Sequence, residues 1–377
     1  MNKAHSHNQL VLDSHKLGGH MDRVEAWESG ERIAPVSVDM SLTRACGAMC
    51  TFCYAMVQES QERSSIKELH ALNLLDDFKE IGVKSVSLVS DGESTLAKSY
   101  VPFIKSAKKI GIDVANATNA WEWEAEKVEQ VLPDLTWVRF TVAAGTPDKY
   151  ARMMYKTGED VHVFDRAMKN IAYAVDLKRR KNLSVTLGIQ MVLMPNMMED
   201  IIPFAQLGID LGVDYAVIKH CSDDEVGSLG IDYKMYDVMF DQLRLAETMS
   251  TDKTKVIVKW NKITDGQNFP YKRVHGPQFL LQISGSGLVA PAGVFFNSKF
   301  SKFHIGNFTD ERFKEIWKSE RYWRVMRYLA SENFEPSKMM GSLPIAHYVN
   351  VALDKHIKGI ERITDTSHAK PLHHNFL

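Results

Sequence analysis

The sequence predicts an α/β fold: a parallel sheet, open or curled into a partial barrel, followed by a smaller α+β region. Three observations carry this. Short apolar strands alternate with amphipathic helices from residue 36 onward. The alternation gives way near residue 262 to a hairpin pattern and a long helix. Finally, 377 residues exceed the roughly 250–300 at which a single core stops growing.

Residues 1–35 read as a polar, His-containing arm, and 36–262 as the βα-repeating domain. In APVSVDMSLT the apolar positions alternate, so it is a strand entering a cysteine-rich loop. SIKELHALNLLDDFKEIG is helical, VKSVSLVS a strand, and YVPFIKSAKKIG a helix that Gly111 ends. The strand IDVANATN, the helix EAEKVEQVL and the strand LTWVRFTVA follow. HVFDRAMKNIAYAVDLKRRK is an amphipathic helix, SVTLGIQMVLM a buried strand, MEDIIPFAQLGIDLG a helix and VDYAVIKHC a sixth strand. Function in such sheets gathers at the carboxyl ends of the strands. Residues 263–377 form the second domain: QFLLQISGSGLVAPAGVFF reads as a hairpin turning at Gly285 and Gly287, and FTDERFKEIWKSERYWRVMRYLA as a helix capped by Thr309 or Asp310.

Charge is balanced, Lys+Arg 46 against Asp+Glu 47, so no basic excess draws the chain to nucleic acid or to anionic membranes. The start lacks the apolar core of a secretion signal, and no run reaches the roughly 18 apolar residues of a membrane span. A cytoplasmic protein is expected.

Of four cysteines, Cys46, Cys50 and Cys53 fall within eight residues and Cys221 stands apart. Clustered thiols in a reducing compartment bind metal or do redox work. The spacing Cys-x3-Cys-x2-Cys lets three thiolates converge on an iron–sulfur cluster, for which thiolate is the required soft ligand. Three ligands leave one iron open, as catalytic sites do. The same residues also allow a structural zinc site completed by Cys221 or a histidine.

The loop TRACGAMCTFCYA, with Phe52 just before the last thiol, resembles the signature of the radical S-adenosylmethionine superfamily. The resemblance implies a partial (β/α)6 TIM-like barrel with a [4Fe–4S] cluster on Cys46, Cys50 and Cys53. S-adenosylmethionine would bind the open iron and, on receiving an electron from a flavodoxin- or ferredoxin-type donor, release a 5′-deoxyadenosyl radical. SDGESTL is similar to the family's Gly-Gly-Glu segment, with Asp91, Gly92 and Glu93 in its three positions and Asp91 departing from glycine. The resemblance further assigns Phe52, Tyr54, Asn119, Thr141, Gln190 and Ile218 to the cofactor.

The arm and the C-terminal region, through GLVAPAGVFF, HIGNFTDERFKEIWKSERY and HHNFL, resemble relatives with a SPASM or twitch extension. Such extensions hold auxiliary clusters, but this chain has no cysteine after Cys221 and places His275, Ala292, Met340 and Pro344 where thiols would stand. One cysteine remains beyond the first cluster, so a second all-cysteine cluster cannot be built. The loss, natural or engineered, favours redox-neutral outcomes such as epimerisation. Cys221, at the end of the sixth strand in VIKHCSDDE, is then the candidate hydrogen-atom donor, with Lys219 and His220 beside it as candidates to orient polar substrate groups.

Two substrates follow as expectations. One is a small polar molecule, sugar- or nucleotide-like, supported by an arm too short for a leader-binding module. The other is a ribosomal peptide. A zinc-stabilised binding protein without catalysis is the alternative from another class.

Overall fold

The computed structural model describes residues 10–53, 55, 64–155, 162–266, 268–341 and 346–377. Ten strands form one sheet: β1 Ser37–Met40, β2 Ser85–Leu88, β3 Asp113–Thr118, β4 Trp137–Thr141, β5 Thr186–Leu193, β6 Tyr215–His220, β7 Lys255–Val258, β8 Leu280–Ile283, β9 Leu288–Ala290 and β10 Gly306–Asn307. Their order is β10-β9-β8-β1-β2-β3-β4-β5-β6-β7. Every neighbour pair from β8 through β1 to β7 is parallel, while β8–β9 and β9–β10 are antiparallel.

The helices are α1 Met21–Glu28, α2 Glu68–Ile81, α3 Tyr100–Ile110, α4 Ala125–Val131, α5 Pro147–Met154, α6 His162–Lys181, α7 Ile201–Leu211, α8 Phe240–Thr248, α9 Trp260–Asp265, α10 Phe313–Lys318, α11 Glu320–Leu329, α12 Pro336–Met339 and α13 His347–Ile357. Helices α2, α3 and α7 each stop at a glycine with positive φ, Gly82, Gly111 and Gly212, where a left-handed residue closes the last turn and frees the chain for the next strand.

Alternation along the strands gives the sheet two unlike faces. Val38, Met40, Val86, Leu88, Val138, Phe140, Leu187 and Ile189 join one continuous core. The intervening positions, Asp39, Ser87, Arg139, Gln190, Lys219 and Gln282, line a common cavity. Strands from β1 to β8 facing one cavity mean that the sheet curls, and the expected partial barrel is present.

Three elements differ from the sequence reading, the first being the single helix expected over 308–330, which is two, α10 and α11, broken at Ser319, whose side chain caps the second in place of Thr309 or Asp310. Lys255–Val258 adds a seventh strand beside β6, and β8 extends the barrel sheet by pairing in parallel with β1, Ser37 opposite Leu280. The hairpin itself lies where its pattern put it, with Gly287 at φ +88° in the turn. The amino end of the barrel is closed by the arm and the last residues. Lys16 Nζ donates to Phe376 O at 2.7 Å, Asn375 Nδ2 to Asp113 Oδ2 at 2.7 Å, and Trp137 meets Phe376 edge-on.

Candidate active site

The cysteine loop follows β1 and is fastened by its backbone together with the side chains of Thr43, Arg44 and Thr51. Met49 N and Thr51 N donate to Met154 O and Met153 O at the end of α5, at 3.0 and 2.9 Å. Glu93 N reaches Ala45 O at 2.8 Å, and Arg44 N reaches Ser64 O at 2.9 Å. With its backbone so held, the loop presents Cys46, Cys50 and Cys53 to the cavity, whose volume is about 660 Å³. Phe52 lines it as well, mostly buried, whereas Tyr54 lies outside the described residues.

Cys46 and Cys50 stand in surroundings that disfavour a bare thiolate. Burial, then the Glu93 carboxylate, push Cys46 up to about 12; burial, then Cys53 and Cys46, push Cys50 well above the usual thiol range. A bound iron core would relieve both effects, because coordination deprotonates a thiol outright. Among the described residues, no three His, Cys, Asp or Glu side chains gather tightly enough to hold a single metal ion. The donor set fits the group that the sequence implied.

Beside the loop stand the ends of β2 and β3. Gly92 has φ +92°, and a Cβ there would lie 2.1 Å from Thr43 O, so only glycine lets this turn close against the cysteine loop. Glu93 Oε1 accepts from Thr95 N at 3.3 Å and Thr95 Oγ1 at 2.8 Å, while Oε2 accepts from Asn119 N at 2.9 Å. Burial raises its pKa against these hydrogen bonds. Asn119 in turn points Nδ2 at Cys46 Sγ, 3.9 Å away, and Ala120 after it is held at φ +65°. Asp91, where the resemblance has glycine, faces the hairpin turn: it accepts from Ser284 Oγ at 2.6 Å and Gly285 N at 2.8 Å and pairs with Arg44 Nε at 3.1 Å. It joins the barrel to the C-terminal region.

Thr141 and Gln190 line the same cavity from β4 and β5. Ile218 does not; it is fully buried beside the cavity-lining Lys219 and packs outward into the core. Cys221 is also fully buried and is not among the lining residues. Its Sγ sits 3.8 Å from Phe52 O and 3.6 Å from Ser222 O, behind the cysteine loop. His220, in contact with Tyr233 and Tyr236 rings, is turned from the cavity and held neutral, its pKa pushed down to about 3 by burial. Of the positions replacing thiols, Ala292 lines the cavity, Met340 is buried, His275 is half-buried against Trp27, and Pro344 lies outside the described residues.

The sequence reading passed over a second group of cavity residues: Asp39, Lys259, Lys262, Gln282 and the charge of Arg139. Their signal was present, since a charged or amide residue inside an apolar strand, as in SVDM, WVRFT and LLQI, faces something other than core.

Residues 40–207 match the model of the radical SAM superfamily. Residues 40–207 form a radical SAM domain, and the chain is an enzyme; a [4Fe–4S] cluster and S-adenosylmethionine are the cofactors of that superfamily. The fold is similar to Streptococcus suis SuiB bound to S-adenosylmethionine, with TM-score 0.62 and 16% identity over 82% of this chain and 72% of that one. SuiB bound to its precursor peptide SuiA gives TM-score 0.61 and 16% identity over 80% and 69%. AdoMet-bound anSMEcpe gives 0.58 and 12% over 89% of this chain and 100% of that one. No curated protein matches the sequence. Among the described residues no helix is long and apolar enough to cross a membrane.

Proposed function

We propose that the enzyme abstracts a hydrogen atom from a small polar molecule, sugar- or nucleotide-like, with a redox-neutral outcome such as epimerisation. The carrying observation is that the three thiols share one cavity of about 660 Å³ with the polar side chains of β1, β4, β5, β6 and β8. That volume lies in the range of small-molecule sites. When bound, the cluster and S-adenosylmethionine supply one-electron cleavage of the sulfonium and the radical that takes the hydrogen atom.

The chain's own residues have separate tasks in this reading. Cys46, Cys50 and Cys53 hold the cluster, and Gly92 lets the β2 turn lie against their loop. Glu93 and Asn119 fix the β2 and β3 ends beside Cys46, and Thr141, Gln190 and Phe52 line the space for the cofactor. Gln190 Oε1 is buried without a hydrogen-bond partner among the described residues, which marks it for a ligand donor. Redox neutrality rests on the count of thiols: with three on the first cluster, one remains. A flavodoxin- or ferredoxin-type protein would deliver the electron.

A second reading, modification of a ribosomal peptide, is favoured by the fold shared with SuiB, whose structure holds its precursor peptide. The zinc-stabilised, non-catalytic reading does not survive the radical SAM match. Anaerobic turnover in deuterated water with sugar, nucleotide and peptide candidates separates the remaining two. A sugar or nucleotide that raises 5′-deoxyadenosine formation supports the first reading, and one deuterium in the product shows that the hydrogen returned to the substrate radical comes from a solvent-exchanging donor. Stimulation by peptides alone overturns it.

A further inference from the structure

On the wall formed by β4, β6, the end of β7 and α9, four cations converge: Arg139, Lys219, Lys259 and Lys262 all line the cavity that receives the thiols. Each of the three lysines feels Arg139, and Lys219 and Lys259 feel Lys262 as well. Among the described residues no side chain of the four makes an ion pair or hydrogen bond to another side chain or to the backbone, so the four charges have no partner within the wall. Lys259 rests over the Tyr348 ring at 5.6 Å and Arg139 over Trp137 at 5.5 Å, and Arg139 Nε is buried without a partner.

The carboxylates within reach are already engaged. Asp39 faces Ser87 and Arg139, and Asp13 is hydrogen-bonded by Tyr348 Oη and by Asn261 N at 3.0 Å. Counted with every lysine protonated, as an anion would hold them, four cations against these two carboxylates leave an excess of about two positive charges on one wall. Buried charges are ordinarily paired, so this wall holds repulsion that an anion would relieve. The strain shows in the lysines: burial first, then their cationic neighbours, hold Lys219 down to about 7, and burial and Arg139 hold Lys262 down to about 8.

We propose that this wall is the seat for the phosphate or diphosphate group of the substrate. The inference deepens the proposed function and rests on it, naming the substrate class as a phosphorylated small molecule. A phosphate dianion matches the excess in charge. Its oxygens accept both the Arg139 fork and the three lysine point charges. One carboxylate, such as that of the cofactor, would leave the excess half uncompensated.

The test uses the full chain, reconstituted anaerobically, with inorganic pyrophosphate and inorganic phosphate as probes at constant ionic strength. Calorimetry and thermal melts should show pyrophosphate binding and a raised Tm. In Lys219→Met/Lys262→Met the Tm without ligand should exceed that of the wild type, because repulsion is gone, while pyrophosphate binds at least tenfold more weakly. If that double variant fails to fold, Lys219→Gln and Lys262→Gln singly carry the same expectation, and Lys262→Arg should keep binding.

Equal pyrophosphate shifts in wild type and variants would assign binding to the surface and overturn the proposal. Displacement of pyrophosphate by saturating S-adenosylmethionine would give the wall to the cofactor carboxylate and overturn it too. The radical chemistry has its own readout. If reduced enzyme forms 5′-deoxyadenosine but pyrophosphate does not bind, the phosphate seat fails alone. If pyrophosphate binds but no 5′-deoxyadenosine forms, it is the radical reading that fails.

Discussion

Glu93 illustrates how far a single side chain is committed before any ligand arrives. Both carboxylate oxygens accept from the β2 and β3 ends, two of the donors being backbone N–H groups. Glu93→Gln places an amide against one of these donors and leaves it unsatisfied, so the variant should lose about 1–3 kcal/mol of stability in denaturant titrations. Cys221→Ala should cost about 1 kcal/mol through lost packing behind the cysteine loop and leave turnover intact. Loss of turnover with 5′-deoxyadenosine still formed would instead restore Cys221 as hydrogen donor. The cavity lysines give a pH dependence. Lys219 and Lys262 titrate near 7 and 8 in the folded chain but near 10.4 when unfolded, so over pH 7–8 the unfolded chain binds more protons and stability rises with pH. Lys16 and Lys259, also held down by burial, add to the slope. Asp39, raised to about 6, has lost its opposing contribution by pH 7. Melting temperatures between pH 7 and 8 should climb for wild type and flatten in Lys219→Met/Lys262→Met. At this scale the sequence showed the thiols through their spacing alone. It hid Ile218 and Cys221, because adjacency in a strand says nothing about which face a side chain takes until the register is known.

At the scale of elements, βα alternation made six strands and the hairpin legible. It hid β7, since the four residues KVIV lie between two helices and offer too short a run to show a period. The pairing of β8 with β1 was equally invisible, being a contact between segments some 240 residues apart whose partners are set by tertiary packing. Two connections now explain why the C-terminal region stays on the barrel. Asp91 ties the end of β2 to the hairpin turn, and Asp77 of α2, almost wholly buried, receives Arg312 at the start of α10 with bonds of 2.6 and 3.0 Å. Arg312→Met leaves Asp77 buried and unpaired. Because Arg312 is partly exposed, the expected loss is about 2 kcal/mol, less than for a fully buried pair. Adding Asp77→Asn should recover part of it in a double-mutant cycle. Gly92→Ala forces a Cβ into Thr43 O at a positive φ and should cost at least about 2 kcal/mol, with less iron retained per chain after reconstitution.

Across the whole molecule, a curled sheet creates a cavity with thiols at the carboxyl ends of its strands and unpaired cations along one wall, while the arm and the last residues close the opposite end. The function class was readable from the cysteine loop, because ligand spacing within one loop is a local property. The cationic wall was not, because its members come from β4, β6, β7 and α9 and meet only in the fold. The central claim is that Cys46, Cys50 and Cys53 bind a cluster that cleaves S-adenosylmethionine. It is tested most directly by reconstituting the chain anaerobically, measuring metal per chain, then adding S-adenosylmethionine and dithionite and quantifying 5′-deoxyadenosine. The account predicts a brown protein with about four irons per chain that forms 5′-deoxyadenosine, and a colourless, inactive Cys46→Ala/Cys50→Ala/Cys53→Ala variant. A colourless wild-type protein holding one zinc and forming no 5′-deoxyadenosine would contradict it.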